Sequence, residues 1–205
     1  MIVIVDYGVG NLRSVYNKFK RIGHPAEISS DPSVISKADK IILPGVGHFK
    51  NGMNKLKEYG LIELLNQRVL TEKIPVLGIC LGVQLFTKKS EEGNCDGLGW
   101  IDAETVRFTI PEADKTKFKV PHIGWNSVSV VKNSILFKNV DPSELFYFVH
   151  SYHLKCNNNE VTLGKSNYAY DFVSCIEQGN IFGTQFHPEK SQDAGIQLFE
   201  NFVKI

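Results

Sequence analysis

At 205 residues, 42% hydrophobic and 22% charged, the chain has the length and composition of a globular domain able to bury a core without disulfides or metal. Its formal net charge of +1, with no dense lysine or arginine block, excludes the electrostatic footprint of a nucleic-acid binder. No stretch approaches the roughly 20 apolar residues that span a bilayer, and the start "MIVIVDYGVG" lacks the basic region and length of a signal peptide, so a soluble cytoplasmic protein is expected, with no membrane partner. The four cysteines, Cys80, Cys95, Cys156 and Cys175, form no CxxC pair and no metal-ligand spacing, so reduced thiols and no metal site are expected.

The first run, "IVIVD" (2–6), is β-branched and predicts a strand; "NLRSVYNKFKRIG" (11–23) follows it. There Leu12, Val15, Phe19 and Ile22 recur at helical spacing, and Gly23 supplies a C-cap. "KIILPGVG" (40–47) predicts a second buried strand, ending in a Pro/Gly loop before a helical stretch over 51–70, and "IPVLGIC" (74–80) predicts a third strand. Successive strand–loop–helix units imply right-handed crossovers and a mainly parallel sheet. The second half differs: "VSVV" (128–131), "LFYFVHSYHL" (145–154), "FVSCIE" (172–177) and "IFGTQFH" (181–187) read as strands separated by turn residues, with a closing helix over about 192–203. No internal repeat or linker divides the chain. The expected fold is therefore α/β: a single domain over 1–205 with an open, mixed, mainly parallel sheet, flanking helices and an antiparallel extension.

Gly78-Ile79-Cys80-Leu81-Gly82 has the form G-x-C-x-G between a buried strand and a helix, the thiol counterpart of the nucleophile elbow G-x-S-x-G. Small neighbours suit a nucleophile on a strained turn, and the helix that follows aims N–H groups, the Leu81 amide first, at the sulfur. On the pentapeptide alone, a packed structural thiol fits as well as a nucleophile. "QFHPEKS" (185–191) adds His187 and Glu189 at i and i+2, which an extended backbone puts on one face, and Pro188 keeps the preceding residue extended. A carboxylate orients the imidazole, and the imidazole holds a thiolate; a Cys–His–Glu triad is the expectation.

Other patterns carry less. "GVGNLRS" follows the first strand, but Arg13 stands where a dinucleotide fingerprint needs its last glycine, and no Walker A sequence exists. His122, His150 and His153 are read as structural histidines, and Phe146, Tyr147 and Phe148 as strand packing.

"GICLGVQLF" (78–86) and "TQFHPEKS" (184–191) resemble the two signatures of class I glutamine amidotransferases, and the likeness covers nearly the whole chain. "DYGVGNLRSV" (6–15), "LPGVGHF" (43–49), "PHIGWN" (121–126) and "YFVHSY" (147–152) resemble one branch, the glutaminase subunits of imidazole glycerol phosphate synthases. The resemblance implies a triad of Cys80, His187 and Glu189. It also implies a loop, Pro44 to Gly47, whose Gly45, Val46 and Gly47 backbone stabilises an oxyanion together with the Leu81 amide, with a peptide flip at Val46 on activation. Gln84, Glu92 and the backbone around Ser151 and Tyr152 are implied to hold L-glutamine. A carboxylate at Glu92 suits the substrate's α-ammonium; on the residues alone it reads equally as a solvated acid in "TKKSEE". Asn11, Trp125 and Asn126 are implied at a partner interface, although a buried Trp125 also fits the composition.

The implied reaction needs no cofactor: glutamine is hydrolysed to glutamate and ammonia. The glutaminase fold takes up the chain's 205 residues, so the acceptor reaction is expected on a partner. The resemblance implies a (β/α)8 cyclase, joined in a heterodimer and fed through a shielded ammonia route, in histidine biosynthesis. A paralogous glutaminase feeding a sugar amidotransferase of surface-polysaccharide synthesis shares all these motifs, and Ile123 stands where the histidine branch often has Met. A thiol peptidase of the elbow-cysteine group would place His directly after the nucleophile, where this chain has Leu81. A non-catalytic interaction module would be expected to break the triad.

Overall fold

Four runs, IVIV, IILP, VLGIC and IFGT, are apolar throughout but for Thr184 and have no polar face to offer water. In the computed structural model, which describes residues 1–205, they lie side by side in the middle of one sheet, covered on both faces. The first half of the chain gives β1 (Ile2–Val5), α1 (Leu12–Arg21), β2 (Ala26–Ser29), α2 (Pro32–Ile35), β3 (Lys40–Gly45), α3 (Phe49–Glu58), α4 (Ile62–Asn66), β4 (Val76–Cys80) and α5 (Leu81–Leu85). The second half gives β5 (Lys89–Ser90), β6 (Cys95–Asp96), β7 (Ala103–Arg107), β8 (His122–Ser127), β9 (Ser129–Val130), β10 (Leu145–His150) and β11 (Tyr152–Cys156). It ends with β12 (Thr162–Tyr168), β13 (Tyr170–Gln178), β14 (Ile181–Thr184) and α6 (Gln192–Lys204).

Strands β2-β1-β3-β4-β14 run parallel, and β13, β11 and β7 extend the sheet antiparallel from β14. Strand alternation divides the core between two faces. Val3, Val5, Ile41 and Leu43 pack with Phe49, Leu56 and Leu65 of α3 and α4. Ile2, Ile4, Ile42 and Leu77 pack with Phe19 of α1 and Phe199 and Phe202 of α6, the Phe19 and Phe199 rings lying 5.0 Å apart. No helix is long and apolar enough to cross a membrane.

The expected parallel core, antiparallel extension and closing helix are present; several boundaries differ. The stretch read as one helix over 51–70 is α3, starting at Phe49, and the short α4, separated at Gly60, whose φ of +66° ends α3; a π turn over Gln67–Thr71 follows. The run 145–154 is two strands rather than one. At Ser151 the chain leaves β10, which pairs only with β8 in a separate antiparallel ribbon, and enters β11 of the main sheet. Of 128–131 only Ser129–Val130 is strand, while the preceding "HIGWNS" forms β8. The segment 181–187 stops being strand at Thr184. Strands β2, β7 and β12 lack a clear signal in the sequence: AEIS and AETVR are short runs carrying charged residues at exposed or part-exposed positions, and TLGKSNY carries Gly, Lys and Asn.

One close approach positions everything that follows. A Cβ on Gly82, in the first turn of α5, would overlap the Leu43 carbonyl oxygen of β3, and one on Gly78 would lie 2.7 Å from the Phe86 ring and the Val83 backbone. Overpacking costs roughly 1–3 kcal/mol, and at this chain length each kcal/mol lowers Tm by about 2–4 °C. Gly82→Ala is therefore expected to melt several degrees below the parent chain in scanning calorimetry; an unchanged Tm would contradict this contact.

Candidate active site

Cys80 ends β4 and precedes α5 with φ +54° and ψ −109°, a backbone conformation that an L-residue holds only under strain. The turn swings its side chain out of the sheet, and Gly78 and Gly82 leave room for the backbone to reverse. Cys80 is 6% exposed and opens onto a cleft of about 300 Å³.

His187 follows β14, its amide donating to the Tyr147 carbonyl at 2.9 Å and its carbonyl accepting from the Ser191 hydroxyl at 2.6 Å. His187 itself is extended, but Pro188–Lys190 curl into a 3₁₀ turn, so an extended i, i+2 alignment is not what joins His187 to Glu189. The turn folds the carboxylate back onto the ring, and His187 Nδ1 donates to Glu189 Oε1 at 2.7 Å between two buried side chains. Proline at the first position of that turn loses no hydrogen bond. With Nδ1 engaged, Nε2 is the nitrogen left to face Cys80; it is buried and has no partner in full hydrogen-bond geometry, and Glu189 Oε2 is likewise buried and unpartnered. Burial alone would lower the His187 pKa. The charges of nearby Cys80 and Glu189, with the Glu189 hydrogen bond, outweigh it and push it up to about 10.

The other expected residues sort into two places. Val46, Gly47, Leu81, Gln84, Glu92, Ser151 and Tyr152 line the same cleft as Cys80. Gly45 lies just behind, where a Cβ would sit 2.5 Å from the Tyr7 hydroxyl. Gly47 has φ +111° and Val46 is 40% exposed at the mouth. Gln84 is buried and donates through Nε2 to the Tyr152 carbonyl at 3.0 Å and to Gln185 Oε1 at 3.1 Å. Glu92 is no freely solvated acid: its Oε2 accepts from the Phe49 amide at 2.7 Å and so caps α3. Asn11, Trp125 and Asn126 stand away from the cleft. Asn11 precedes α1, exposed and making no cap. Trp125 is 45% exposed, edge-on to Tyr147, and Asn126 donates to the Asn167 carbonyl at 2.9 Å.

Two further side chains at the site lie inside quoted motifs that assign neither a role. Tyr7 is fully buried and donates to the Pro44 carbonyl at 2.8 Å, bracing the Pro44–Gly47 loop from beneath, and its burial beside Cys80 raises the phenol pKa. Gln185, the first residue of "QFHPEKS", sits with Nε2 3.9 Å from the Cys80 sulfur; its signal is a polar residue directly after a buried strand. His122, His150 and the Tyr152 carbonyl form a chain, with ring nitrogens 3.1 Å apart and His150 Nδ1 2.7 Å from the carbonyl. Burial lowers both pKa values, that of His122 to about 4, so both rings are neutral. A larger groove of about 1020 Å³ between β9 and the 132–144 segment contains no thiol or imidazole.

The sequence matches the family described as glutamine amidotransferase class-I over residues 3–205. It is 50% identical to the imidazole glycerol phosphate synthase subunit HisH 2 of Methanococcus maripaludis, covering 100% of this chain and 99% of that one. It is 46% identical to subunit HisH 1 of Campylobacter jejuni, with 100% of each covered. Among solved structures, a glutamine amidotransferase superposes with a TM-score of 0.75 at 19% identity, covering 100% of this chain and 98% of that one. PurLQS from Thermotoga maritima superposes with a TM-score of 0.71 at 16% identity, covering 99% of this chain and 97% of that one.

Because folding raises the His187 pKa, the charged ring favours the folded state fully below its unfolded value of 6.5, and that contribution is lost as pH climbs through about 10. An NMR titration is expected to find the His187 imidazole protonated through neutral pH, with its midpoint lowered in Glu189→Gln. A midpoint near 6.5 in the parent chain would refute this electrostatic description.

Proposed function

The chain belongs to the class I glutamine amidotransferases, and on that premise we propose that residues 1–205 form the glutaminase subunit of an imidazole glycerol phosphate synthase, acting in histidine biosynthesis. The observation that carries the reading is a strained-elbow Cys80 on the cleft wall, neighboured by a buried His187 that Glu189 holds at 2.7 Å. The cleft is small, as an amino-acid substrate requires.

The Cys80 thiolate attacks the carboxamide carbon of glutamine, and the resulting oxyanion rests on the Leu81 and Val46 amides. The His187 imidazolium gives its Nε2 proton to the departing nitrogen, the C–N bond breaks, and ammonia leaves a thioester on Cys80. His187, now neutral, takes a proton from water as the oxygen attacks the thioester; the C–S bond breaks and glutamate leaves. Glu189 keeps the proton on Nδ1, so that Nε2 faces the sulfur throughout. Glu92 offers a negative charge at the cleft for the substrate ammonium while still capping α3.

The relatives are named as subunits, which supports a partner chain that uses the ammonia. We assign that partner as a (β/α)8 cyclase in a heterodimer, fed through a route shielded from water. The exposed Ile123 and Trp125 of β8 supply an apolar surface for it, and we assign Asn11 and Asn126 to the same interface. A second reading rests on the numerals in the relatives' names, which distinguish more than one HisH within an organism: a paralogue supplying a sugar amidotransferase.

Cys80→Ala is expected to abolish glutamine-dependent turnover, while the partner in the same complex still works with free ammonium; retained glutamine hydrolysis would defeat the assignment. Affinity purification from the native cell is expected to retain a cyclase, and recovery of a sugar-modifying enzyme in its place would favour the paralogue.

A further inference from the structure

An amide side chain has two ends of similar shape, and its orientation is fixed only by what those ends face. Here a single backbone atom fixes two amides in succession. The Tyr152 carbonyl can only accept, so the Gln84 atom 3.0 Å from it is Nε2. The same nitrogen lies 3.1 Å from the Gln185 side chain, which must therefore present Oε1. That leaves the Gln185 amide nitrogen pointing at the Cys80 sulfur, at 3.9 Å. Reversing either amide would set donor against donor or acceptor against acceptor. Gln84 is 4% exposed and Gln185 0%, so water cannot repair the mismatch.

We infer that Gln185 takes part in the reaction directly, donating an N–H to the Cys80 sulfur and so favouring the thiolate, with Gln84 as the positioning residue that prevents the donor from turning away. This rests on Cys80 being the nucleophile. The sulfur has a second neighbour of opposite preference: the Val149 carbonyl, 4.0 Å away, can only accept and so stabilises the S–H form alone. Gln185 can only help the ionised form, because a sulfur bearing negative charge is the stronger acceptor. The Gln185 backbone is pinned independently, its amide donating to the Ser174 carbonyl at 2.8 Å, so the side chain is free of any duty in the β13–β14 ladder.

A glutamine that only filled space would be replaceable by Met, which has similar length and no donor. The test is alkylation of Cys80 by iodoacetamide in the full-length chain, followed by peptide mass spectrometry so that the other three thiols are read separately. In Gln185→Met the rate near neutral pH is expected to fall about tenfold, while the limiting rate reached on the alkaline plateau of the Cys80 profile stays within about twofold. Gln185→Glu, which keeps Oε1 as the acceptor for Gln84 but removes the donor, is expected to show the same pattern. Gln84→Met is expected to show a weaker form of it, and either variant carries the test should Gln185→Met not fold. A variant pH profile superimposable on the parent's, or a rate lowered equally at all pH values, overturns the inference. The outcome is separable from the nucleophile assignment, since glutamine hydrolysis surviving Cys80→Ala would remove that assignment and leave the alkylation profile still reporting the hydrogen bond.

Discussion

The first turn of α5 lies against the backbone of β3 with no side chain between them at Gly82, and this contact sets where the Cys80 sulfur ends up. A helix seated farther out would let β4 run straight and return Cys80 to an ordinary strand conformation with its side chain in the sheet. Seated this close, the strand must reverse within one residue, and Cys80 takes up the left-handed φ that results. The packing of both faces of the sheet sustains that strain, which no local interaction of Cys80 offsets.

Around the sulfur, the same burial gives opposite results for different histidines. His150 and His122 are packed among aromatic rings and one another, with only a carbonyl to accept from them, and desolvation leaves them neutral. His187 is equally enclosed but touches Glu189 and faces Cys80, and it stays charged. One cation and one carboxylate thus accompany the thiol in an otherwise uncharged setting, an arrangement in which their mutual attraction is little screened.

Much of this is legible in the sequence because it is forced. The near-continuous apolar runs read as interior strands, and G-x-C-x-G marks the elbow because a side chain at either glycine has nowhere to go. The break within 145–154 is not legible: hydrophobicity continues through Ser151, and only the separate partners of β10 and β11 reveal that the chain changes sheets. The turn at Pro188–Lys190 reads as extended in the sequence, since proline restricts the residue before it while also suiting the first position of a tight turn. Tyr7 and Gln185 stand inside quoted motifs, yet their roles are not legible, for a different reason. Each acts through one polar atom on a segment distant in sequence, Pro44 for Tyr7 and Gln84 for Gln185, and no local pattern records such a pairing.

The positive φ of Cys80 has a consequence for attempts to engineer this chain. A non-glycine residue held there means that one position sits below the stability its surroundings would allow. Replacing Cys80 with Gly would relax the backbone, whereas replacing Glu189 with an apolar residue would leave the buried His187 Nδ1 without its acceptor. A thermostability screen run without a functional filter will therefore reward the loss of the sulfur while keeping the pair beside it.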